Sequence, residues 1–364
     1  MQINILELEN YRNFTSLRLD FADSVNIICG ENGRGKTNIL ESIYLCGTGK
    51  SHKGSREKEI ILHDREEAHV KGEFSSPRGN RRIDIHLKKD GVKGIAVDRI
   101  PIKKLSELYG KVPVVIFSAE DMDIIKRGPA VRRRFMDIEL CQTDPVYVEN
   151  LISYNHILVQ RRELLKEYEE KKQSPEEFEQ LLDILDLQLS AAGEPLIKRR
   201  KRFTDEINPE IGKIHERLSG GRERVRLVYM PSAGEDELYE RLLKTRERDI
   251  FLKQTSVGPH RDDFSFFDRK KELKIYGSNG QQRTAAVALK LAQINLIEKT
   301  KREKPVLLLD DVLSELDRGR QKMLLESLGG MQTIITCTGM DEFLEQELGK
   351  VKQFIITENG CEIR

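Results

Sequence analysis

The sequence predicts a mixed α/β fold: a sheet built around a phosphate-binding loop, interrupted by an inserted all-α lobe with a short antiparallel helical arm. Three observations predict it. Between Val25 and Leu45 an apolar run, a glycine-rich octet and a helical repeat follow one another. From Ser118 to about Arg248 the chain loses strand signals and becomes helical and charged. From about Thr255 strand and loop character returns, and a second apolar run, Val306–Leu309, ends in the paired acids Asp310 and Asp311.

The chain opens with strand-like alternation from Met1 to Phe21, read as two paired strands around the turn Asn10–Phe14. Arg12 in that turn is placed either to reach a nucleotide or to sit solvated. The octet Gly30-Glu31-Asn32-Gly33-Arg34-Gly35-Lys36-Thr37 fits G-x-x-x-x-G-K-[ST] without mismatch, with a strand before it and a helix after it, and with Asn38 it forms the candidate nucleotide-binding loop. Its glycines let backbone N–H groups approach phosphate oxygens, and the helix N-terminus adds partial positive charge. Lys36 is expected on the β- and γ-phosphates and Thr37 on Mg²⁺. The segment Gly47–Lys53 reads equally as a further phosphate contact or as a connector. Strands are expected near His69–Phe74, Arg82–Lys88, Ile95–Val97 and Val112–Phe117, with Asp90-Gly91 as a hairpin turn.

In the helical region, a helix from Asp144 to Lys172 precedes the capping box Ser174-Pro175-Glu176-Glu177. A second helix carries a heptad seam through Phe178, Leu182, Leu185, Leu189, Ala192 and Leu196 and is expected to end at Lys198-Arg199-Arg200-Lys201-Arg202. That basic run, and the cluster Arg132-Arg133-Arg134, are the candidate DNA-binding surfaces; cations at a helix C-terminus also serve as dipole partners. Residues 1–118 and 250–364 are assigned to one discontinuous lobe, and 119–249 to the helical lobe. Asp310 fits a carboxylate that holds Mg²⁺ at a strand end, and Asp311 a general base for an attacking water. Ser278-Asn279-Gly280-Gln281 precedes a long helix and then the Asp310 strand. Leu218-Ser219-Gly220-Gly221-Arg222 looks similar but lacks a following apolar helix and reads as a Gly-Gly turn.

Net charge is +1 over 364 residues, so no global field draws the chain to nucleic acid, and local basic patches must do so. Five cysteines without C-x-x-C spacing argue against a zinc site and for a reducing compartment. No run approaches the ~20 apolar residues of a membrane span. The expected location is the cytoplasm.

The order of these motifs resembles ATP-binding-cassette heads, in particular those of the structural-maintenance-of-chromosomes class. Within it, LENYRNF (Leu8–Phe14), GENGRGKTNILESI (Gly30–Ile43), EDMDIIKRGPAVRRRFMD (Glu120–Asp137) and GPHRDD (Gly258–Asp263) resemble the RecF family. The resemblance implies an ATP-dependent homodimer that binds DNA, hydrolyses ATP slowly and acts with RecR and RecO to load recombinase and support the SOS response. It implies that Ser278, with Gly280 and Gln281, meets the partner's γ-phosphate and that Asp317 makes a contact across the dimer. Transporter-type cassettes carry Glu where this chain has Asp311 and His where it has Thr336 or Thr338, which predicts slow turnover. Glu120 is expected to replace the usual Gln as a Mg²⁺ contact. A transport ATPase subunit or another P-loop NTPase is the alternative.

Overall fold

The structure is a computed structural model that describes residues 1–168, 174–221, 223–339, 351–357 and 360–363, with Gln346 and Leu348. In chain order, β1 (Gln2–Tyr11), β2 (Phe14–Asp20) and β3 (Val25–Cys29) lead into α1 (Lys36–Thr48) and α2 (Glu57–Ile60). β4 (Glu67–Ser75), β5 (Arg81–Lys88), β6 (Lys93–Val97), β7 (Ile100–Pro101) and β8 (Val114–Ser118) follow. Then come α3 (Met122–Lys126), α4 (Pro129–Thr143), α5 (Pro145–Glu167), α6 (Pro175–Ser219), β9 (Val225–Met230) and α7 (Leu238–Leu252). β10 (Asp263–Asp268), β11 (Lys271–Glu272), α8 (Leu273–Tyr276) and α9 (Asn279–Lys301) come next. The chain continues through β12 (Val306–Asp310), α10 (Arg318–Glu326), β13 (Thr333–Cys337), β14 (Lys352–Thr357) and β15 (Gly360–Ile363). The helix expected between β13 and β14, the end of the helix expected to reach Lys172, and Arg222 lie outside the described residues.

The chain divides into two compact units, Met1–Asp121 with Leu289–Arg364, and Met122–Ala288. The observed division differs from the expected one: residues 250–288 belong to the insertion. The reason is strand pairing, because β10 binds β9 and β11 in a three-stranded antiparallel sheet. The insertion expected as all-α therefore also contains a sheet.

The first unit holds two six-stranded sheets. One has the order β2-β1-β4-β5-β6-β7 and is antiparallel. Its strands alternate between one buried and one solvated face, as the sequence alternation requires. The other has the order β15-β14-β3-β13-β12-β8, parallel except for β15. Strand β12, Val-Leu-Leu-Leu-Asp, is buried throughout, which is why it carries no alternation. Gln332 ties the unit together: its amide accepts from Ile3 N–H at 2.7 Å and donates to the carbonyls of Ile3 and Ala22 at 2.8 Å.

In the second unit, α5 and α6 form the arm. Asp144 caps α5 through the amides of Val146 and Tyr147, and Ser174 caps α6 in a reciprocal box with Glu177. The seam packs as expected, with Leu164, Leu165, Phe178 and Leu182 in one cluster. Helix α6 does not stop at Arg202. It runs through Pro195 and Pro209 to Ser219, where Gly220 in the left-handed region caps it by an N–H bond to Glu216. The basic run thus lies inside a helix and cannot complement a C-terminal dipole.

At the base of the arm Arg161 is fully buried. Its guanidinium bonds Asp186 at 2.6 Å, Asp249 at 2.8 Å and Thr255 Oγ1 at 3.0 Å. Nearby, His260 Nε2 bonds the Thr255 carbonyl at 3.0 Å and Nδ1 lies 2.7 Å from Tyr154 Oη. A carbonyl only accepts, so Nε2 carries the proton and Nδ1 accepts from the tyrosine. Burial lowers the His260 pKa to about 4. An unfolded histidine titrates near ~6.5. The stabilisation from the neutral ring is therefore present above that value and lost as pH falls through it toward 4. At pH 5 the loss is expected to be on the order of 2 kcal/mol. Urea unfolding at pH 7 and pH 5 should show this loss in the parent protein and its absence in His260→Gln.

Candidate nucleotide-binding site

Sheet order builds the site. The C-terminal ends of β3, β13 and β12 lie side by side, with Cys29 in register with Cys337 and Asp310 with Thr336. The glycine-rich loop leaves β3 there and the paired acids leave β12. Gly30, Gly33 and Gly35 have φ of 153°, 83° and 97°. A Cβ on Gly30 would meet the Ile356 carbonyl oxygen at 2.7 Å, and one on Gly35 would strike Asn13 and Phe14. These two positions admit no side chain, so the loop backbone stays bare at the head of α1.

Lys36 is 5% exposed. Its ammonium bonds the carbonyls of Gly30 at 2.7 Å and Glu31 at 3.1 Å, and no carboxylate pairs with it among the described residues. A buried cation held only by carbonyls is costly and is matched by an anion brought from outside. Thr37 Oγ1 lies 2.9 Å from Asp310 Oδ1, although the two are 273 residues apart in sequence. A hydroxyl and a carboxylate side by side suit a hard divalent cation such as Mg²⁺. The donor set thus fits a polyphosphate with its metal. Glu31 and Arg34 pair with each other at 2.8 Å on the exposed rim, where Asn32 also sits.

Thr336 is the buried support of the acid pair. Its hydroxyl lies 2.9 Å from Asp310 Oδ1 and accepts from the Asp311 N–H at 3.0 Å. Thr338 is exposed. Burial raises the Asp310 pKa, opposed by the hydrogen bonds from Thr37 and Thr336 and by the charge of Lys53. Lys53 thereby joins the electrostatics of the site, while Ser51 of the same segment is buried against Glu41. Asp311 sits at φ 53°, the left-handed region that Asp tolerates better than most residues. Replacing Thr336 by Val should cost about 1–3 kcal/mol in urea stability by leaving buried polar groups unpaired, and Thr336→Ser should restore it.

Several expected residues have other roles. Arg12 is not a solvated turn residue: its guanidinium bonds the buried Glu41 at 2.7 and 2.8 Å, Ser55 Oγ at 2.7 Å and the Glu59 carbonyl at 2.7 Å. It anchors the β1–β2 turn to α1. The residue that braces the loop is its neighbour Asn13, which donates to the Arg34 carbonyl at 3.0 Å and accepts from Asn38 Nδ2 at 2.8 Å. Nothing in residue type marked Asn13 over Arg12. Glu120 lies on the exposed turn after β8, two residues beyond Ser118, which is in register with Asp310. Asp121 beside it is committed to Lys290 at 2.9 Å. Asp317 caps α10 by accepting from Arg320 N–H at 3.1 Å and pairs with the same arginine.

In the second unit, the Ser278 hydroxyl accepts from Gln281 N–H at 3.2 Å and Gln281 Oε1 accepts from Ser278 N–H at 2.8 Å. The helix starts at Asn279, within the motif, rather than after it. Gly280 sits in its first turn, and its carbonyl accepts from the Thr284 hydroxyl at 2.8 Å. Two of the basic candidates are corrected by burial. Arg132 is 3% exposed and forks onto Asp263 at 2.6 and 2.7 Å. Arg200 is 2% exposed and bonds Asp137 at 2.7 Å, Pro259 O at 2.6 Å and Asp262 at 3.1 Å. These guanidiniums hold the GPHRDD segment and cannot reach a DNA backbone. Arg133 is half-buried on the Asp262 carbonyl and Arg199 on Asp144 and Glu206. Lys198, Lys201 and Arg202 are exposed and paired with Asp236, Glu235 and Glu206, and Arg134 is exposed.

The chain matches the family described as RecF/RecN/SMC N terminal domain over residues 2–361. Fold and site together define an ATP-binding-cassette-type head of that class. Within it, the chain belongs to the RecF family. It is 50% identical over 351 residues to the DNA replication and repair protein RecF of Lachnoclostridium phytofermentans, covering 96% of each chain. It is 48% identical over 363 residues to that of Agathobacter rectalis, covering 100% of this chain and 99% of the relative. A solved structure of the recombination mediator protein RecF–ATP in the RecFOR pathway superposes with a TM-score of 0.93. It is 34% identical and covers 100% of this chain and 97% of that one. An SMC head bound to the C-winged helix domain of ScpA, 17% identical with a TM-score of 0.57, shares the fold. Family membership sets aside the transport-subunit reading. No helix of the described residues is long and apolar enough to cross a membrane.

Proposed function

We propose that this chain is an ATP-operated switch for recombination repair: ATP closes two copies into a dimer that binds DNA, and slow hydrolysis reopens it. The observation that carries this reading is the buried cation Lys36, without a carboxylate partner among the described residues, at the head of a loop whose Thr37 touches Asp310. Lys36 and the loop amides of Gly30–Thr37 bind the phosphates. Mg²⁺, held by Thr37 and Asp310 with Glu120 as a further carboxylate, would neutralise phosphate charge. Asp311, positioned by Thr336, orients and deprotonates the attacking water. Ser278, with Gly280 and Gln281 at the start of α9, meets the γ-phosphate held by the second copy. Its oxygen already accepts from Gln281 N–H, so its own O–H is the group it has to donate. Asp317 contacts the second copy. Of the basic candidates, Arg133, Arg134, Lys198, Arg199, Lys201 and Arg202 remain for DNA.

The likeness to RecF supports the rest: work with RecR and RecO in loading recombinase, support of the SOS response, and a place in the cytoplasm at the nucleoid. Asp311→Asn tests the mechanism, because it keeps the site's shape and removes the base. With saturating ATP the variant is expected to sediment as a persistent dimer and to release phosphate at least about a hundredfold more slowly, within the range of one lost acid–base group. A monomer under those conditions would refute the ATP-closed dimer.

A further inference from the structure

The solvated face of the antiparallel sheet carries three metal-ligating side chains that the nucleotide chemistry does not use. His69 on β4 and His86 on β5 are directly opposite in register. Their rings stack with centroids 4.2 Å apart and planes at 12°. Glu67, two residues before His69 and so on the same face, reaches both: His86 Nε2 lies 2.9 Å from one carboxylate oxygen and His69 Nε2 3.9 Å from the other. One ligand atom from each of the three lies within 4.8 Å of the others. Glu9 on β1 is in register with His69 on the same face and brings a second carboxylate, and a fourth side chain, to the row. Beyond His86 the next strand presents Gly94, which leaves that side of the rings uncovered. Lys88, opposite Glu67, is the nearest competing cation in the register.

We propose that Glu67, His69 and His86 form a binding site for a borderline divalent cation of the Zn²⁺ class, which staples β4 to β5. Imidazole and carboxylate donors suit Zn²⁺ and its neighbours rather than Mg²⁺ or Ca²⁺. Three protein ligands leave a fourth tetrahedral position for water or for Glu9. Two cationic histidines stacked this closely would repel, whereas two neutral rings sharing one cation with a carboxylate would not. The three donors come from paired strands, so little order is lost on binding.

The test is a Zn²⁺ titration of the full chain against a chromophoric chelator, without nucleotide and with a thiol-free reductant. The expected result is one equivalent bound, lost in His86→Ala and at least about tenfold weaker in His69→Ala and Glu67→Gln, as for other ligand losses. Co²⁺ in place of Zn²⁺ should bind without the near-ultraviolet charge transfer of thiolate ligands, separating this site from the five cysteines. A second measurement needs no variant: Zn²⁺ should protect His69 and His86 from carbethoxylation in the parent protein. Unchanged binding in the histidine variants, a thiolate spectrum for the bound equivalent, or equal carbethoxylation with and without Zn²⁺ would each overturn the site.

Discussion

Lys36→Ala is expected to weaken ATP binding by about a hundredfold or more, the scale of two charge-assisted phosphate bonds at about 1.5–3 kcal/mol each. The argument rests on burial. Lys36 is almost entirely enclosed and, among the described residues, its ammonium bonds the carbonyls of Gly30 and Glu31 and pairs with no carboxylate. The apo protein therefore carries an uncompensated charge, and a polyphosphate relieves it as well as bonding to it. Removing the ammonium removes both contributions without breaking an ion pair elsewhere, so the fold should persist by circular dichroism. Because closure of the proposed dimer needs the bound triphosphate, ATP-dependent dimerisation and DNA binding should vanish with it. Titration with a fluorescent ATP analogue and sedimentation read the two effects. An affinity within threefold of the parent would show that the loop does not bind phosphate through this lysine.

Arg161→Met is expected to cost about 3–5 kcal/mol of stability, the scale for stranding a buried charge. Asp186 and Asp249 are both fully buried and both bond Arg161. Asp186 keeps Arg246 at 2.8 Å, whereas Asp249 keeps the neutral donor Ser256 N–H at 2.9 Å. Arg161→Lys should rescue little, since one ammonium cannot replace a planar fork that reaches two carboxylates and Thr255. If the stranded carboxylate is the cause, the double variant Arg161→Met/Asp249→Asn should recover part of the loss. Urea midpoints for the four proteins of that cycle decide it. Additivity would mean that the two residues do not interact.

The parts legible in sequence are those specified by local chemistry. The loop Gly30–Thr37, the start of a helix at Asp144, the capping box at Ser174, the seam from Phe178 to Leu196 and the Gly-Gly turn at Gly220 depend on residues a few positions apart. What escaped depends on partners distant in the chain. Arg132 and Arg200 read as basic patches because Asp263, Asp137 and Asp262, which absorb them, lie 131, 63 and 62 residues away. The insertion read as all-α because β9 is one short strand between helices and pairs with β10 beyond α7. Arg12 looked more functional than Asn13 because charge draws attention, yet the neutral amide holds the loop. Thr336 was visible only as a missing histidine, and its bonds to both acids follow from strand register.

Strand β3, which launches the phosphate loop, lies between β13 and β14. Both of its neighbours are encoded about 300 residues after it. During translation the N-terminal strand therefore waits, unpaired in its sheet, while Met122–Ala288 emerges and can fold on its own contacts. A ribosome stalled before Thr333 would display a finished insertion and an unassembled nucleotide cradle. That makes ATP capture a property the protein acquires only after its insertion has formed.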